Sequence, residues 1–470
     1  MTNNRIGGCP VFAETFQSNL DAMIDLIAGD PKQPEDKLIG YELERILAAP
    51  DGRTVSYSGE QGLAALLEQL ATMHAADERV FIDGILFGFD YRVMVDGEPV
   101  RVAVSLEPAS QLEVAVGPSK SVRRLHMAVE AFDADVRQAL DAIGSDASLQ
   151  AVGYNPYVSD PTELELIPKE RYRDMDAYLS RHGRHARDMM RCSASTQVSL
   201  DYEDEVDMAR IYRMGTLLGP LFAFLFDNAP RFRGAPTPGM ARSIIWRHVD
   251  VDRCGIVPGS LDGLGFLDYA LWTTGVKPIL FTDEHHVTSA TGDARTREIM
   301  AERKLTRGEL AHLLSMVFPN IRLKGFCEYR EMDSLPPRLA AACTSFTGAL
   351  FYDKQLEAKL AAKLSTWLPR GFELIDESDA VAARLDLEKM GWEADVYGVP
   401  ARAFADALVS IALDNVANGA ADARRAADVT SDGTVPVVRS NPDDRAFDLE
   451  GIEMLRDIWR DGGLPRTRLA

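Results

Sequence analysis

The sequence predicts an α+β fold: a mainly antiparallel sheet flanked by helices. Two observations predict it. Stretches that alternate apolar and polar residues follow one another with short turns between them. Long amphipathic helical stretches are mixed among them without regular βαβ alternation, which argues against a doubly wound sheet.

The elements follow in order. Residues 10 to 29 carry Phe12, Phe16, Leu20, Met23 and Ile24 near helical spacing. After the polar PKQPEDK, KLIGYELERIL is the first strand. Its Glu42 and Glu44 point one way, and Tyr41 and Leu43 the other, into a core. GLAALLEQLATMHAA (62 to 76) predicts a helix. FIDGILFGFDYRVMVDGEPVRVAVSLEP holds two or three strands, with Asp96-Gly97 marking a hairpin turn. QLEVAVGP is another short strand, and 119 to 144 is a long amphipathic helix closed by Gly144. QAVGYNPY reads as a strand running into a turn, RYRDMDAYLSRHG as a helix and ASTQVSLDY as a strand. EDEVDMARIYRMGTLLGPLFAFLFDNAP is a long, increasingly buried helix with acids in its first turn, where the helix dipole favours them. ARSIIWRHVD and KGFCEYREMD read as strands, separated by a Gly- and Asp-rich loop and further helices. From about Thr344 onward the chain reads as helical and Ala-rich. DVTSDGTVPVVRSNPDD reads as a loop before a last short helix.

The 470 residues are 46% hydrophobic and 26% charged, which is ordinary for one or two globular domains. A net charge of −21 with no long basic run argues against nucleic acid or an anionic membrane as partner. The longest uncharged apolar stretch, Met214 to Phe226, is shorter than the roughly 20 residues a bilayer requires. The N-terminus has no basic region followed by an apolar run, so no signal peptide is expected. Five scattered cysteines without a CxxC (Cys9, Cys192, Cys254, Cys327, Cys343) suit a reducing cytoplasm and argue against a Cys-based zinc site.

Three acidic groups sit in apolar strand sequence. They are Glu42 with Glu44, Glu107 with Glu113, and Glu328, which shares a face with Arg330. One such group alone reads as the solvent side of a half-exposed sheet. Three together favour converging carboxylates, a common way to hold Mg²⁺. Mg²⁺ suggests phosphates, yet there is no P-loop and no kinase-type glycine loop. A nucleotide would therefore be held by metals and by Arg191, Arg242, Arg322, Lys324 or Arg330, each of which also reads as a strand surface residue. His285 and His286 lack metal-ligand spacing. His182 and His185 lie in a basic stretch that suits either phosphate or a solvated helix end. Cys192 and Cys254 read as buried thiols before reactive ones.

From about Gly40 to Asp353 these motifs, in this order, resemble glutamate–cysteine ligase of the type found in plants and many bacteria. GYELE is similar to the family's Gly-x-Glu-x-Glu, and SLEPASQLEV to its Ser-Leu-Glu-Pro-x-x-Gln-x-Glu. IPKERYRDMDAYL, the block around STQVSLDY, ARSIIWRHVDVDRCGIVP and FPNIRLKGFCEYREMD match further family stretches. The resemblance implies a glutamine synthetase-like catalytic domain with a curved sheet whose concave face holds ATP and metals. It implies a ligase core over 1–355 and a C-terminal helical region, 356–470, packed on it. It implies that L-glutamate, L-cysteine and ATP give γ-glutamylcysteine, ADP and phosphate through a γ-glutamyl phosphate, the first step of glutathione- or ergothioneine-type thiol synthesis.

Under the resemblance, Glu42, Glu44, Glu107, Glu113 and Glu328 hold two or three Mg²⁺ ions. Lys324, Arg322 and Arg330 hold the nucleotide. Arg330 and Arg191 serve phosphate or the glutamate carboxylate, Arg242 serves a substrate carboxylate, and Trp246 and Tyr154 line the substrate pocket. The expected protein is a cytoplasmic monomer or homodimer whose partners are these small molecules. Two departures stand out: Ile244 where plant-type enzymes carry His, and Glu331 where Gly is usual. They keep open a γ-glutamyl ligase of the same mechanism with another amine acceptor, and behind it a non-catalytic nucleotide- or glutamate-binding sensor.

Overall fold

Alternation along β1 (Ile39–Ala48) fixes the centre of the sheet. Tyr41 and Leu43 are buried on one face, and Glu42 and Glu44 point to the other. The computed structural model describes residues 10–74, 78–82, 84–237, 239–285, 287–427 and 441–464. Eight further strands build the sheet with β1: β2 (Glu78–Ile82), β3 (Ile85–Val95), β4 (Glu98–Leu106), β5 (Gln111–Ser119), β6 (Ser148–Gln150), β7 (Ser195–Leu200), β8 (Ile321–Leu323) and β9 (Cys327–Asp333). Their order is β8-β9-β7-β1-β5-β4-β3-β2, with β6 beside the end of β1. Neighbours pair antiparallel throughout. The β3–β4 hairpin turns at Asp96 and Gly97, both at positive φ, as the Asp-Gly pair predicts.

Register then decides what shares a face. Tyr41 lies opposite Val116, and Leu43 opposite Val114. These pairs continue into Val102 and Val104 of β4. On the other face Glu44 lies opposite Glu113, and Glu113 opposite Ser105. Glu42 lies opposite Gln197, and Glu328 opposite Ser199 and Arg322. In β9 the register shifts by one residue between Tyr329 and Met332, so Arg330 and Glu331 form a bulge.

Helices cover the apolar face. α1 (Pro10–Ala28) and α2 (Leu63–Met73) are followed by α3 (Val122–Ala142), which is capped by the Ser121 hydroxyl and packs on β5. α4 (Glu170–His182) and α5 (Ala186–Cys192) lead into β7. α6 (Glu205–Leu225) is the long buried helix with an acidic first turn, and it packs on β9. It approaches closely at Gly215, where a Cβ would meet Ile321 Cδ1 at 2.5 Å. The segment 241–246, expected as a strand, is instead the short helix α7 (Ala241–Trp246). Its apolar residues read as alternation, but Ala241, Arg242 and Ile245 are the buried ones, which is helical spacing.

After α8 (Phe266–Gly275), α9 (Thr296–Glu302) and α10 (Arg307–Leu314), the C-terminal part is helical as expected: α11 (Pro337–Phe351), α12 (Leu356–Lys363), α13 (Glu377–Met390), α14 (Ala401–Ala427) and α15 (Pro442–Arg460). The last helix has 19 residues rather than being short. Most of the loop expected before it, like Cys9 and His286, lies outside the described residues. Among the described residues no helix is long and apolar enough to cross a membrane.

Trp459 ties α15 to the interior. Its indole donates to the Leu225 carbonyl at 3.0 Å, and its ring lies 5.5 Å from Phe226 and 5.3 Å from Phe346. Trp459→Ala is therefore expected to destabilise the protein by roughly 3–5 kcal/mol. Denaturant unfolding of both forms would show it as a lower midpoint, and an unchanged midpoint would mean that α15 contributes nothing to the core.

Candidate active site

The polar face of the sheet forms the floor of a cavity of about 370 Å³. Glu42 and Glu44 enter from β1, Ser105 and Glu107 from β4 and the turn after it, and Gln111 and Glu113 from β5. Gln197 comes from β7 and Arg330 from β9. Arg322 and Lys324 come from β8 and the turn that follows. Arg242 and Trp246 reach in from α7, and Lys169 and Arg171 from the start of α4.

One half of this cavity is acidic. Burial pushes the Glu42 carboxyl up, and Glu328 adds to the shift. Burial and then Glu44 push Glu107 up to about 8, against Lys169 and Arg171. Burial, then Glu42, Glu107 and Glu44, hold Glu113 well above the usual carboxylate range, and only a 2.9 Å bond from the Ser105 hydroxyl opposes them. Glu44 is held in place by the Ser195 amide at 2.7 Å and the Gln197 side chain at 2.9 Å.

The other half is basic and gathers on Glu328. Arg322 donates to it at 2.7 and 3.1 Å, Lys324 lies at 2.5 Å and Arg330 at 2.8 Å. Burial alone would raise the Glu328 carboxyl, but these three cations together hold it well below the usual range. Arg330 also donates to Gln197 at 2.5 Å, and Arg242 to the Arg330 carbonyl at 2.9 Å. Both guanidiniums lie within 6 Å of the Trp246 ring, at 5.6 Å for Arg242 and 5.8 Å for Arg330.

Among the described residues, no three His, Cys, Asp or Glu side chains are gathered closely enough to hold a metal ion as they stand. The donor set nonetheless fits a hard divalent cation. The donors are all carboxylate oxygens, and three of them, half-buried on the cavity floor, sit beside like charges that a cation would relieve.

The structure brings together Glu42, Glu44, Glu107, Glu113, Arg242, Trp246, Arg322, Lys324 and Arg330 around one space, with Glu328 buried directly beneath its three cations. It places two expected residues elsewhere. Arg191 lies in α5, where it donates to the Leu164 carbonyl at 3.0 Å and to Asp176 at 2.8 Å. Its guanidinium holds α5 to α4 rather than facing the cavity. Tyr154 is fully buried beside Phe232, with its hydroxyl on Asp188 at 2.9 Å. His185 joins the same Asp188, and His182 bonds to the Tyr178 carbonyl. Burial pushes the Cys192 and Cys254 thiols up to about 12, so neither is poised as a thiolate.

Sequence reasoning passed over Lys169, Arg171, Gln111 and Gln197. Lys169 is fixed with its ammonium 3.6 Å from the Phe87 ring centre. The signal available was the Lys-x-Arg just before a helix, but charges at a helix start are ordinarily solvated. Only the return of α4 over the sheet puts these two near Glu107.

A model of glutamate-cysteine ligase family 2 (GCS2) matches residues 38–427. The chain is similar to the chloroplastic glutamate–cysteine ligase of Arabidopsis thaliana, 27% identical over 308 residues, which are 63% of this chain and 58% of that protein. It is similar to the chloroplastic glutamate–cysteine ligase B of Oryza sativa subsp. japonica, 27% identical over 313 residues, 63% of this chain and 62% of that one. The match thus spans less than two thirds of these relatives. Among solved structures, glutamate–cysteine ligase of Francisella tularensis in complex with AMP shares the fold, with a TM-score of 0.53 and 10% identity over 92% of this chain and 83% of that one.

The two halves of the cavity predict opposite responses to charge removal. Glu328→Gln strands three cations and is expected to cost roughly 3–5 kcal/mol of stability. Glu42→Gln removes a repelled carboxylate and is expected to leave the ligand-free protein as stable or more so. Urea denaturation at neutral pH separates them, and equal losses in both would contradict the division of charge.

Proposed function

This chain belongs to glutamate-cysteine ligase family 2, and from that membership we propose that it joins the γ-carboxylate of L-glutamate to the amine of L-cysteine at the expense of ATP. One observation carries the reading: a cluster of oxygen donors faces a cluster of cations across a single cavity.

A carboxylate is a poor acyl donor, because oxide would have to leave. In the proposed sequence a γ-carboxylate oxygen attacks the terminal phosphorus of ATP, and ADP departs. The cysteine nitrogen then attacks the acyl carbon, the C–N bond forms, and phosphate leaves with the electrons of the broken C–O bond. The surplus ammonium proton is lost to solvent. Glu42, Glu44, Glu107 and Glu113 would hold the two or three Mg²⁺ ions, which when bound neutralise the polyphosphate, whereas Glu328, expected among these ligands, lies beneath the cavity and is engaged by three cations. Glu328 also aims Arg322, Lys324 and Arg330 at developing phosphate charge. Arg242, beside the Trp246 ring, receives a substrate carboxylate. Lys169 and Arg171 close the cavity from α4 and limit the access of water to the acyl phosphate. The core is proposed to span 1–355, with the remaining helices as its C-terminal region, and the site of action to be the cytoplasm.

The first test is ADP release with ATP, Mg²⁺ and glutamate, without and with cysteine and a panel of other amines, with product mass measured. Cysteine-dependent release giving γ-glutamylcysteine is expected. A response only to another amine would keep the mechanism and change the acceptor, a reading favoured by Glu331 next to Arg330 in the β9 bulge. Silence with every amine would sink the ligase reading.

The metal assignment has its own test. Glu107 titrates near 8 in the folded chain, against about 4.3 unfolded. Between those values the folded state binds the extra proton, so stability falls as pH rises through the window and levels off above about 8. Mg²⁺ takes the place of such protons and should flatten the fall. Thermal melts from pH 5 to 9, in Mg²⁺ and in EDTA, are expected to differ in slope, and identical slopes would count against metal binding by these carboxylates.

A further inference from the structure

α7 brings Arg242 and Trp246 to the cavity, yet it is only 6 residues long. So short a helix does not hold its own place. Its position comes from the segments on either side of it, and both are fastened to α5 and the turn before α5.

The segment after α7 meets the turn between α4 and α5. The His185 amide donates to the His248 carbonyl at 3.3 Å. Gly183 packs so closely that a Cβ would meet the Val249 carbonyl oxygen at 2.1 Å. His248 Nδ1 lies 2.8 Å from the Ile244 carbonyl, which can only accept, so Nδ1 carries the proton. Nε2 is then the acceptor for the Arg184 guanidinium at 3.0 Å.

The segment before α7 is a hairpin in which Arg231–Phe232 pairs with Ala235–Pro236. It turns at Arg233 and Gly234, at φ values of 48° and 76°. A two-residue turn with both residues at positive φ favours Asn, Asp or Gly first, and an arginine there is strained. The strained turn persists because Arg233 grips Asp188 of α5 with two edges of its fork, Nε on Oδ1 at 2.9 Å and Nη2 on Oδ2 at 2.6 Å. The Asp188 side chain is fully buried and also meets the Tyr154 hydroxyl and the His185 ring, each at 2.9 Å. Burial alone would raise its carboxyl, but Arg233 first, then His185 and Tyr154, hold it below the usual range. Phe232 enters the same socket, with its ring 5.0 Å from that of Tyr154 and 5.4 Å from that of His185. The next two residues of α5, Met189 and Met190, line the main cavity. α5 therefore both borders the cavity and anchors the approach to α7.

We propose that Arg233 and Asp188 are positioning residues for the reaction: they form a latch that fixes α7 and so sets where Arg242 meets the substrate carboxylate. Neither of them lines the cavity, and both act through α7. The role of Arg242 rests on the ligation reading above, whereas the latch itself does not.

The test uses Arg233→Gly in the full chain. The Arg233 side chain is 44% exposed, and glycine suits the positive φ, so a residue that served only the turn could be replaced without loss. A latch predicts the reverse. Hydrogen exchange followed by mass spectrometry is expected to quicken about tenfold or more in the amides of 240–248 and to stay unchanged in α3. Calorimetry with Mg²⁺ and a non-hydrolysable ATP analogue is expected to show L-glutamate or L-cysteine bound about tenfold more weakly, and the analogue itself within about twofold of wild type. Arg233→Lys keeps the charge without the fork and should recover only part of either loss. Exchange in 240–248 that matches wild type overturns the latch. Faster exchange with every affinity unchanged overturns its part in placing Arg242. A wild-type chain that binds neither amino acid and makes no γ-glutamylcysteine removes the ligase reading instead, and the exchange result still decides the latch.

Discussion

Glu44 stands directly across from Glu113 on the neighbouring strand, and much of the structure exists to keep them there. Like charges at that spacing repel, and burial sharpens the repulsion. What holds the register is the opposite face. Tyr41 and Leu43 meet Val116 and Val114, with α3 and α11 packed behind them. A slip by one residue would drive those side chains into the cavity and the carboxylates into the core. The apolar face therefore stabilises an arrangement that the polar face opposes.

The cations come from farther away in the chain. Lys169 and Arg171 arrive with α4, Arg242 with α7, and Arg322, Lys324 and Arg330 around β8 and β9. Arg242 is fixed by a backbone carbonyl, and Arg322, Lys324 and Arg330 by Glu328, rather than by the acids of β1 and β5. The two signs of charge are thus kept apart within one enclosure, which leaves room for a ligand that carries both.

Period-two alternation made the acidic half legible in the sequence, because a strand has only two faces and an acid between apolar residues declares its side. Their place in or beside strand candidates picked out Arg242, Arg322, Lys324 and Arg330, and the family motifs gave them roles. Other features stayed hidden because they depend on tertiary contact. Arg191 read as strand-adjacent, yet α5 turns it onto Asp176. The buried spacing of α7 imitates alternation over six residues, too few for the two periods to be told apart. Lys169 gains its place only by the return of α4. Arg384 lies beyond the motifs that carry the resemblance, and no local pattern marks it as the partner of Glu331.

The bulge in β9 has an evolutionary consequence. In a regular strand, adjacent residues face opposite sides, so a substitution next to Arg330 would be felt in the core. With the bulge, Arg330 faces the cavity of the carboxylates while Glu331 is buried against Arg384 of α13, so the two become separate inheritable choices. One borders the space where charge is neutralised, and the other lies outside it, paired with Arg384. A lineage can therefore alter the second by single mutations, without passing through a form that has lost the first.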